Sequence, residues 1–202
     1  MDAITIVATA ASLSLLAGWR VYLCIFAAGL AMRFGWLPLP SHLESLTVLA
    51  SPWVIGAAGL GAAAEFFADK IAWVDSLWDA VHTAIRPVGG ALLALAIVDA
   101  SDPAWQVASI LLGGGAALTS HAAKAGSRAV INASPEPVSN IVVSAGEDVT
   151  SAGLLALTLA SPIGAAIVAV GVALGSVALL LAVRRMLGRV FGSGRDQPMS
   201  SR

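Results

Sequence analysis

From Val149 to Val183 the chain runs for 35 residues without a charged side chain. As one helix this segment would be about 53 Å long, whereas the hydrocarbon core of a bilayer is about 30 Å thick. Ser161-Pro162 lies near the middle of the segment and supplies a helix break. We therefore predict two membrane spans here, at roughly 140–160 and 163–183.

The low charge content supports a membrane location. Charged residues make up 11% of the chain, against about 25% in soluble proteins, and so few charges cannot cover a water-facing surface. The net charge of −1 excludes a global basic field that would attract nucleic acid. The single cysteine, Cys24, excludes an intramolecular disulfide framework and a cysteine-ligated zinc site.

Four further apolar stretches complete the predicted bundle, and the last of them follows Asp102-Pro103, a typical helix start. They are Ile4 to Met32, Leu46 to Phe67, Ser76 to Val98 and Ala104 to Ala123. Because the third is long enough only if its helix begins inside a charged segment, five spans remain an alternative to six. We expect an all-α, polytopic transmembrane helix bundle of about six spans. Residues 1–190 would form one integral membrane domain, and 191–202 a disordered cytoplasmic tail.

The distribution of Lys and Arg predicts the orientation. With six spans, both termini share a side with the loops around 68–87 and 121–140, and nine basic residues fall on that side against Arg33 on the other. The nine are Lys70, Arg86, Lys124, Arg128, Arg184, Arg185, Arg189, Arg195 and Arg202. Since basic loops remain in the cytoplasm, we expect a protein of the plasma (inner) membrane with both termini cytoplasmic.

Charged side chains also occur within the predicted spans. Arg20 lies 16 residues into the first span, and Glu147 and Asp148 lie seven and eight residues into the fifth. Ionisable groups at such depth are normally paired or line a wet cavity, so we expect one charged network in the cytoplasmic half of the bundle. The candidate substrate- or ion-binding residues are Arg20, Glu65, Asp69, Lys70, Asp75, Asp79, Arg86, His121, Lys124, Arg128, Glu147 and Asp148.

This network has simpler alternatives. Asp75, Asp79, His82 and Arg86 follow one another at spacings of four, three and four, which places them on one helix face. A helix that lies on the membrane surface with its charges in water would show the same pattern. The charges could also serve only to hold the helices in register. The stretch 132–144, with its prolines and small polar groups, is either a loop or a broken element that enters the protein interior.

Two segments resemble each other at an offset of 54 residues. Gly59–Lys70 and Gly113–Lys124 are both rich in Gly and Ala, and both end in Ala-x-Lys. A parallel repeat, as found in some transporters, would place the two lysines against one polar cavity on the cytoplasmic side. Chance similarity is the alternative, because small residues also serve close helix packing in lipid.

Several motifs resemble the bacterial membrane family catalogued as domain of unknown function 4126. The resemblance covers about residues 8–160 and includes the charged positions of the predicted network. It implies a membrane protein but no particular activity. The motifs that carry it are Gly18-Trp-Arg20-Val-Tyr22, Glu65-x-x-x-Asp69-Lys70 with Asp75 and Asp79, Arg86-Pro87-x-x-Gly90, Lys124-Ala-x-x-Arg128 and Ser144-x-x-Glu147-Asp148.

Buried paired charges mark ion paths in membranes, and basic groups at the cytoplasmic edge can hold phosphate head groups. The sequence therefore predicts a small transporter or channel-like protein for an ion or an anionic, including lipid-linked, substrate. The alternative is a structural or partner-binding membrane subunit without transport or catalytic activity. An anionic lipid, a small ion and a second copy of the chain are the candidate partners beside the bilayer, and no nucleic acid is expected.

A membrane enzyme is the third class. His82 and His121 beside acidic residues could bind a divalent metal, yet no spacing matches a ligand motif such as His-Glu-x-x-His. We therefore favour no enzyme activity and expect no cofactor.

Overall fold

The structure is a computed structural model that describes residues 2–36, 44–98, 101–133 and 137–192. A 3-10 helix, Glu44–Ala50, precedes the second of six α-helices. The α-helices are α1 (Ala3–Arg33), α2 (Pro52–Ala68), α3 (Ala72–Ile97), α4 (Pro103–Asn132), α5 (Pro137–Ala160) and α6 (Pro162–Gly192). The described ranges contain no strand, and the predicted all-α helix bundle is confirmed.

The bundle is apolar outside and polar inside. Trp53 on its surface is 88% exposed, whereas Glu65 and Arg86 are completely buried. A water-soluble protein has the opposite arrangement, because exposed apolar surface is favourable only in lipid. By length and composition, α1, α3 and Val138–Ala160 of α5 could each cross a membrane. The surface and the helix lengths together indicate association with a membrane.

Several helix boundaries lie where the local sequence predicts them. Asp102 accepts a hydrogen bond from the Ala104 backbone N–H at 2.7 Å and so caps the start of α4. Ser161-Pro162 separates α5 from α6, which divides the 35-residue apolar segment in two. α3 begins at Ala72, inside the charged segment, and therefore reaches spanning length. α6 extends to Gly192, and the rest of the predicted tail lies outside the described residues.

The second predicted span is shorter than expected. α2 starts at Pro52 rather than near Leu46 and has 17 residues, because Ser51 adopts an extended conformation (φ −65°, ψ 135°) before the proline. A proline disfavours helical geometry at the residue that precedes it but suits the first turn of a helix.

Helices α2 to α6 run alternately up and down the bundle. Asp75 pairs with Arg128, and Gly90 packs against Gly113, so α3 and α4 are antiparallel. α5 returns from the end of α4, where Arg128 donates a hydrogen bond to the Asn140 carbonyl. We name the end of the bundle where α2 and α4 terminate the Lys70 end. The opposite end, where α2, α4 and α6 begin, is the Arg33 end.

The first half of α1 approaches the Lys70 end. Thr158, near the end of α5, donates a hydrogen bond to Ser12 at 3.3 Å, and Arg20 pairs with Asp148, which lies about three turns earlier in α5. This half is therefore antiparallel to α5. Since α5 runs away from the Lys70 end, residues 3–19 run toward it.

The second half of α1 runs back. Arg20 has φ −141° and ψ 68°, which are not helical angles. Beyond it, the Phe26 ring lies against Gly59, and Arg33 donates to the carbonyl of Ala50. Residues 21–33 are therefore antiparallel to α2, which runs toward the Lys70 end. α1 thus reverses direction at Arg20 and forms a helical hairpin.

This hairpin corrects the expected topology. The first half, 3–19, has 17 residues, as many as α2, and the second half, 21–33, has 13. Ile4 to Met32 is therefore not one continuous crossing of the bundle, because the chain reverses direction at Arg20. The start of α1 lies at the Arg33 end, whereas α6, antiparallel to α5, ends at the Lys70 end. The start of α1 and the end of α6 therefore lie at opposite ends of the bundle, whereas six spans would place them at the same end.

α4 stabilises the bend through hydrogen bonds to backbone carbonyls of α1. Ser120 donates to the Leu15 carbonyl at 2.6 Å, and Lys124 donates to the Trp19 carbonyl at 3.5 Å. Helix kinks occur where side chains insert into the helical hydrogen-bond ladder in this way. Gly18 permits the close approach, because a Cβ there would lie 1.8 Å from the Ser120 hydroxyl.

Candidate functional site

All the charged side chains predicted from helical spacing meet inside the bundle, toward the Lys70 end. Each of them contacts at least one other charged or polar member of the group. They come from α1, α2, the α2–α3 connection, α3, α4 and α5. The residues brought together are Arg20, Glu65, Asp69, Lys70, Asp75, Asp79, Arg86, His121, Lys124, Arg128, Glu147 and Asp148.

Three cations and three carboxylates form what we name the Arg20 cluster, at the tip of the α1 hairpin. Arg20 contacts Asp69 Oδ2 at 2.8 Å and also pairs with Asp148. Lys124 Nζ lies 2.9 Å from Asp69 Oδ2, and Lys70 Nζ lies 2.7 Å from Asp148 Oδ2. Arg20 is therefore paired with acids that lie outside its own helix, within the expected charged network. The members are Arg20, Lys70, Lys124, Asp69, Glu147 and Asp148.

The two lysines of the predicted repeat are not equivalent. The Lys70 side chain, just after α2, is 25% exposed, whereas that of Lys124, within α4, is 1% exposed. Lys70 donates to Ser144 and to the Phe66 carbonyl as well as to Asp148. Lys124 lies 2.9 Å from Asp69 and 3.7 Å from Glu147. Both lysines belong to the Arg20 cluster, but one is partly exposed and the other is buried, and they contact different residues. The similarity of the two sequence segments therefore does not extend to the contacts of their lysines.

Arg86 serves two carboxylates at once, and we name these three residues the Arg86 cluster. Its NH2 donates to Glu65 Oε1 at 2.9 Å, and its NH1 donates to Asp79 Oδ1 at 2.8 Å. Within the described residues, Glu65 Oε2 and Asp79 Oδ2 are buried without a hydrogen-bond partner, as is one oxygen each of Asp69, Asp75 and Glu147 in the other groups. One guanidinium thus faces two carboxylates, and this part of the network lacks a positive charge.

The hydrogen bonds around His121 fit a neutral imidazole. Its Nδ1 faces Arg86 NH1, a group that can only donate, so Nδ1 accepts. Its Nε2 lies 3.0 Å from Thr83 Oγ1, which gives its own hydrogen to the Asp79 carbonyl. The Nε2 proton then points at Thr83. His121 therefore adds no positive charge to the Arg86 cluster.

A third group lies nearest the Lys70 end of the bundle. Arg128 Nε donates to Asp75 Oδ2 at 2.9 Å, and its other nitrogens donate to the carbonyls of Asn140 and Asp69. Asn132 donates to the same Asp75 oxygen at 2.6 Å. Cation and carboxylate are matched one to one in this pair, and it joins α3, α4, α5 and the α2–α3 connection.

The stripe 75–86 of α3 faces inward. Asp75, Asp79, His82 and Arg86 are all buried, whereas the apolar side chains on the other face of the helix are exposed. The alternative of a surface helix with its charges in water is therefore wrong. His82 contacts the hydroxyl of Tyr22 at 2.9 Å, and none of the described His, Cys, Asp and Glu side chains form a group of three that could hold a metal ion.

The sequence analysis missed polar residues of α5. Asn140 and Ser144 are buried beside the charged network, within the stretch that we expected to be a loop or a broken element. They are instead part of a regular helix that starts at Pro137. Asn140, Ser144 and Asp148 are spaced by four residues, and this helical interval was the available signal.

A cavity of about 220 Å³ lies between α3 and α4 toward the Lys70 end. Its lining includes Asp79, Thr83, Arg128 and Asn132. A polar cavity was predicted, but with the two lysines of the proposed repeat on its wall, and neither lysine lines it. The acidic residue in the lining, Asp79, belongs to the Arg86 cluster.

No curated protein and no solved structure matches the chain. The sequence does match a protein family over residues 7–183, a range that contains every member of the charged network. Because this match covers most of the chain, the protein belongs to the family described as "Domain of unknown function (DUF4126)".

Proposed function

We propose that the protein is a small transporter or channel-like membrane protein that moves a monovalent cation, with the buried charged network as its ion site. One observation carries the proposal. The network contains six carboxylates and five Lys or Arg side chains, so that 6 − 5 leaves one carboxylate unmatched. A buried carboxylate without a counter-charge takes up a proton or a cation, and groups of this kind mark ion paths in membranes.

The unmatched charge belongs to the Arg86 cluster. The Arg20 cluster has three carboxylates for three cations, and Asp75 has Arg128. Glu65 and Asp79 share Arg86 alone. A cation that binds here would be attracted by the one negative charge of this cluster that no Lys or Arg of the described bundle balances.

This charge balance favours a cation over the anionic substrate that the sequence also suggested. An anion would need a basic group that is not already paired with a carboxylate, although Arg86 Nε has no hydrogen-bond partner among the described residues. Arg20, Lys70, Lys124, Arg86 and Arg128 each pair with a carboxylate. An added anion would therefore have to displace an internal carboxylate.

The proposed orientation places the Lys70 end in the cytoplasm of a cell with a plasma membrane. Arg86, Lys124 and Arg128 do not count as loop charges, because they are buried within helices. Lys70 and the exposed Arg185 of α6 remain at this end, and Arg33 lies at the other. The positive-inside rule then gives a cytoplasmic C-terminal end and an N-terminal end on the opposite side.

A structural subunit is the second candidate, and Lys124 favours it. Its ammonium group is almost fully buried and contacts Asp69, Glu147 and the Trp19 carbonyl. Two of these contacts are hydrogen bonds, to Asp69 and to the Trp19 carbonyl, and the third is an ion pair of 3.7 Å with Glu147, as expected for a clamp that holds α1, α4 and α5 together. The Arg20 cluster can have this role whether or not the Arg86 cluster conducts ions.

Flux through reconstituted protein tests the proposal. Proteoliposomes that contain a pH-sensitive dye would receive a gradient of protons, sodium, potassium or ammonium. We expect the wild-type protein to dissipate at least one gradient and Asp79→Asn to be impaired. Asp102→Asn, a matched carboxylate-to-amide change at an exposed helix cap, should behave as wild type. Wild-type vesicles that leak no faster than protein-free vesicles for all four cations would favour the structural subunit.

A further inference from the structure

The cavity between α3 and α4 offers hydrogen-bond acceptors rather than donors. Ser76 gives its hydroxyl hydrogen to the Ala72 carbonyl, and Thr83 gives its own to the Asp79 carbonyl. Both hydroxyls line the cavity and retain lone pairs. Asp79 lines the cavity too, and its buried Oδ2 has no hydrogen-bond partner among the described residues.

Most donors in the cavity wall are committed to other partners. The two amide hydrogens of Asn132 go to Asp75 Oδ2 and to Ser76 Oγ. Arg128 uses three of its five N–H groups, one from each nitrogen, to donate to Asp75 and to two backbone carbonyls. A ligand that offers hydrogen-bond donors therefore fits this cavity better than a ligand that offers acceptors.

The charge balance of the Arg86 cluster indicates which charge such a ligand should carry. Asp79 shares its only cationic partner, Arg86, with Glu65, so a bound monovalent cation would complete the charge balance of the Arg86 cluster. No described group of three His, Cys, Asp or Glu side chains could hold a metal ion, which leaves a divalent metal without a ligand set. The remaining walls are formed by Ala80, Ala125 and Ala129, which suit a small apolar substituent.

We propose that this cavity binds a small monovalent cation that donates N–H hydrogen bonds, namely ammonium or a short alkylammonium, and that Asp79 is its anionic ligand. The inference deepens the proposed function by naming the substrate class of its ion site. The volume of about 220 Å³ admits methylammonium or ethylammonium with room for water. Thr83 and Ser76 would accept the remaining hydrogen bonds of the ligand.

Thermal unfolding in detergent measures binding without transport. Saturating methylammonium chloride should raise the wild-type Tm by about 2–4 °C over the same concentration of potassium chloride. Tetramethylammonium chloride is the second probe, because it carries the same charge without an N–H donor, and it should give no shift. Asp79→Asn should lose the methylammonium shift. It should otherwise remain folded, because the charged network of this variant contains as many carboxylates as Lys and Arg side chains.

A second variant tests the place of binding without altering any charge. Ala129→Leu fills the cavity from an exposed position on α4 and should abolish the methylammonium shift. Ala122→Leu is the matched control, because Ala122 is also exposed on α4 but does not line the cavity. It should keep the full shift.

The outcomes separate this inference from the proposed function. Equal shifts with methylammonium, tetramethylammonium and potassium, or a shift that survives in both Asp79→Asn and Ala129→Leu, would overturn the ammonium site. Proton flux in vesicles would then still stand as evidence for transport. The opposite result is also informative. If both variants abolish the methylammonium shift but the wild-type protein moves no cation into vesicles, the binding site is supported and the transport function is contradicted.

Discussion

Arg86 and Glu65 form an ion pair of 2.9 Å in which neither side chain has any exposed surface. The pair joins α3 to α2 in the interior of a bundle whose outer surface is apolar. It is not a closed pair, because the same guanidinium also serves Asp79 at 2.8 Å. Different acids of the network should therefore respond differently when they are neutralised.

Asp79→Asn should be tolerated, whereas Asp69→Asn should not. The first change leaves five carboxylates for five cations. The second removes the acceptor that Arg20 and Lys124 share and should cost about 3–5 kcal/mol, the typical result of breaking a buried ion pair. Thermal unfolding of both variants in detergent measures the difference. Equal losses of Tm would contradict the assignment of the unmatched charge to the Arg86 cluster.

Arg20→Ala should lower the folded yield and the Tm. It removes the cation that bridges Asp69 and Asp148 at the tip of the α1 hairpin. Arg33→Ala is the matched control, because Arg33 is exposed and donates only to the Ala50 carbonyl among its described contacts. Size-exclusion chromatography and thermal unfolding compare them. If both variants behave as wild type, Arg20 does not hold the hairpin in place.

Gly18→Ala should be strongly destabilising. A Cβ at Gly18 would lie 2.2 Å from the backbone carbonyl oxygen of Ala117, so α1 and α4 would have to separate. Overpacking of this kind typically costs about 1–3 kcal/mol. Gly115→Ala is the control in α4, where an added Cβ meets no atom within 4 Å and helix propensity favours alanine. A Gly18→Ala protein as stable as Gly115→Ala would contradict the close contact at the bend.

Cysteine labelling tests the hairpin directly. In a Cys24→Ala background, Asp2→Cys and Trp36→Cys should react with an impermeant maleimide from the same side of sealed vesicles. Arg185→Cys, in α6, should react from the opposite side. The reason is that residues 2 and 36 flank the two arms of one hairpin. Labelling of positions 2 and 36 from opposite sides would show that α1 crosses the membrane as a single span.

Lys124→Met should destabilise the protein more than Lys70→Met. Lys124 is buried, so its loss leaves Asp69 and Glu147 with one cation fewer in a dry environment. Lys70 and its partner Asp148 are partly exposed, and water can replace the lost contact. Unfolding temperatures of the two single variants provide the comparison, and a reversed order would remove the argument that Lys124 acts as a clamp.

Much of the candidate site follows from the spacing of charges along the sequence. Asp75, Asp79 and Arg86 lie on one face of their helix wherever that helix is placed in the protein, because an α-helix makes one turn every 3.6 residues. Breaks such as Ser161-Pro162 are equally local, since proline restricts its own backbone and that of the residue before it. These features depend on neighbours in the chain, and a sequence contains that information completely.

Tertiary contacts decided the rest. Helical spacing is the same whether a charged face meets water or the inside of a bundle, so only the packing of α3 against α1 and α4 showed that the face of Asp79 is buried. No proline marks the reversal of α1, and Arg20 adopts its non-helical angles where Ser120, Lys124, Asp69 and Asp148 supply partners from other helices. The sequence by itself determined which residues carry charge and which faces they share. The tertiary structure determined which charges are matched, because pairing depends on distances between residues that are far apart in the chain.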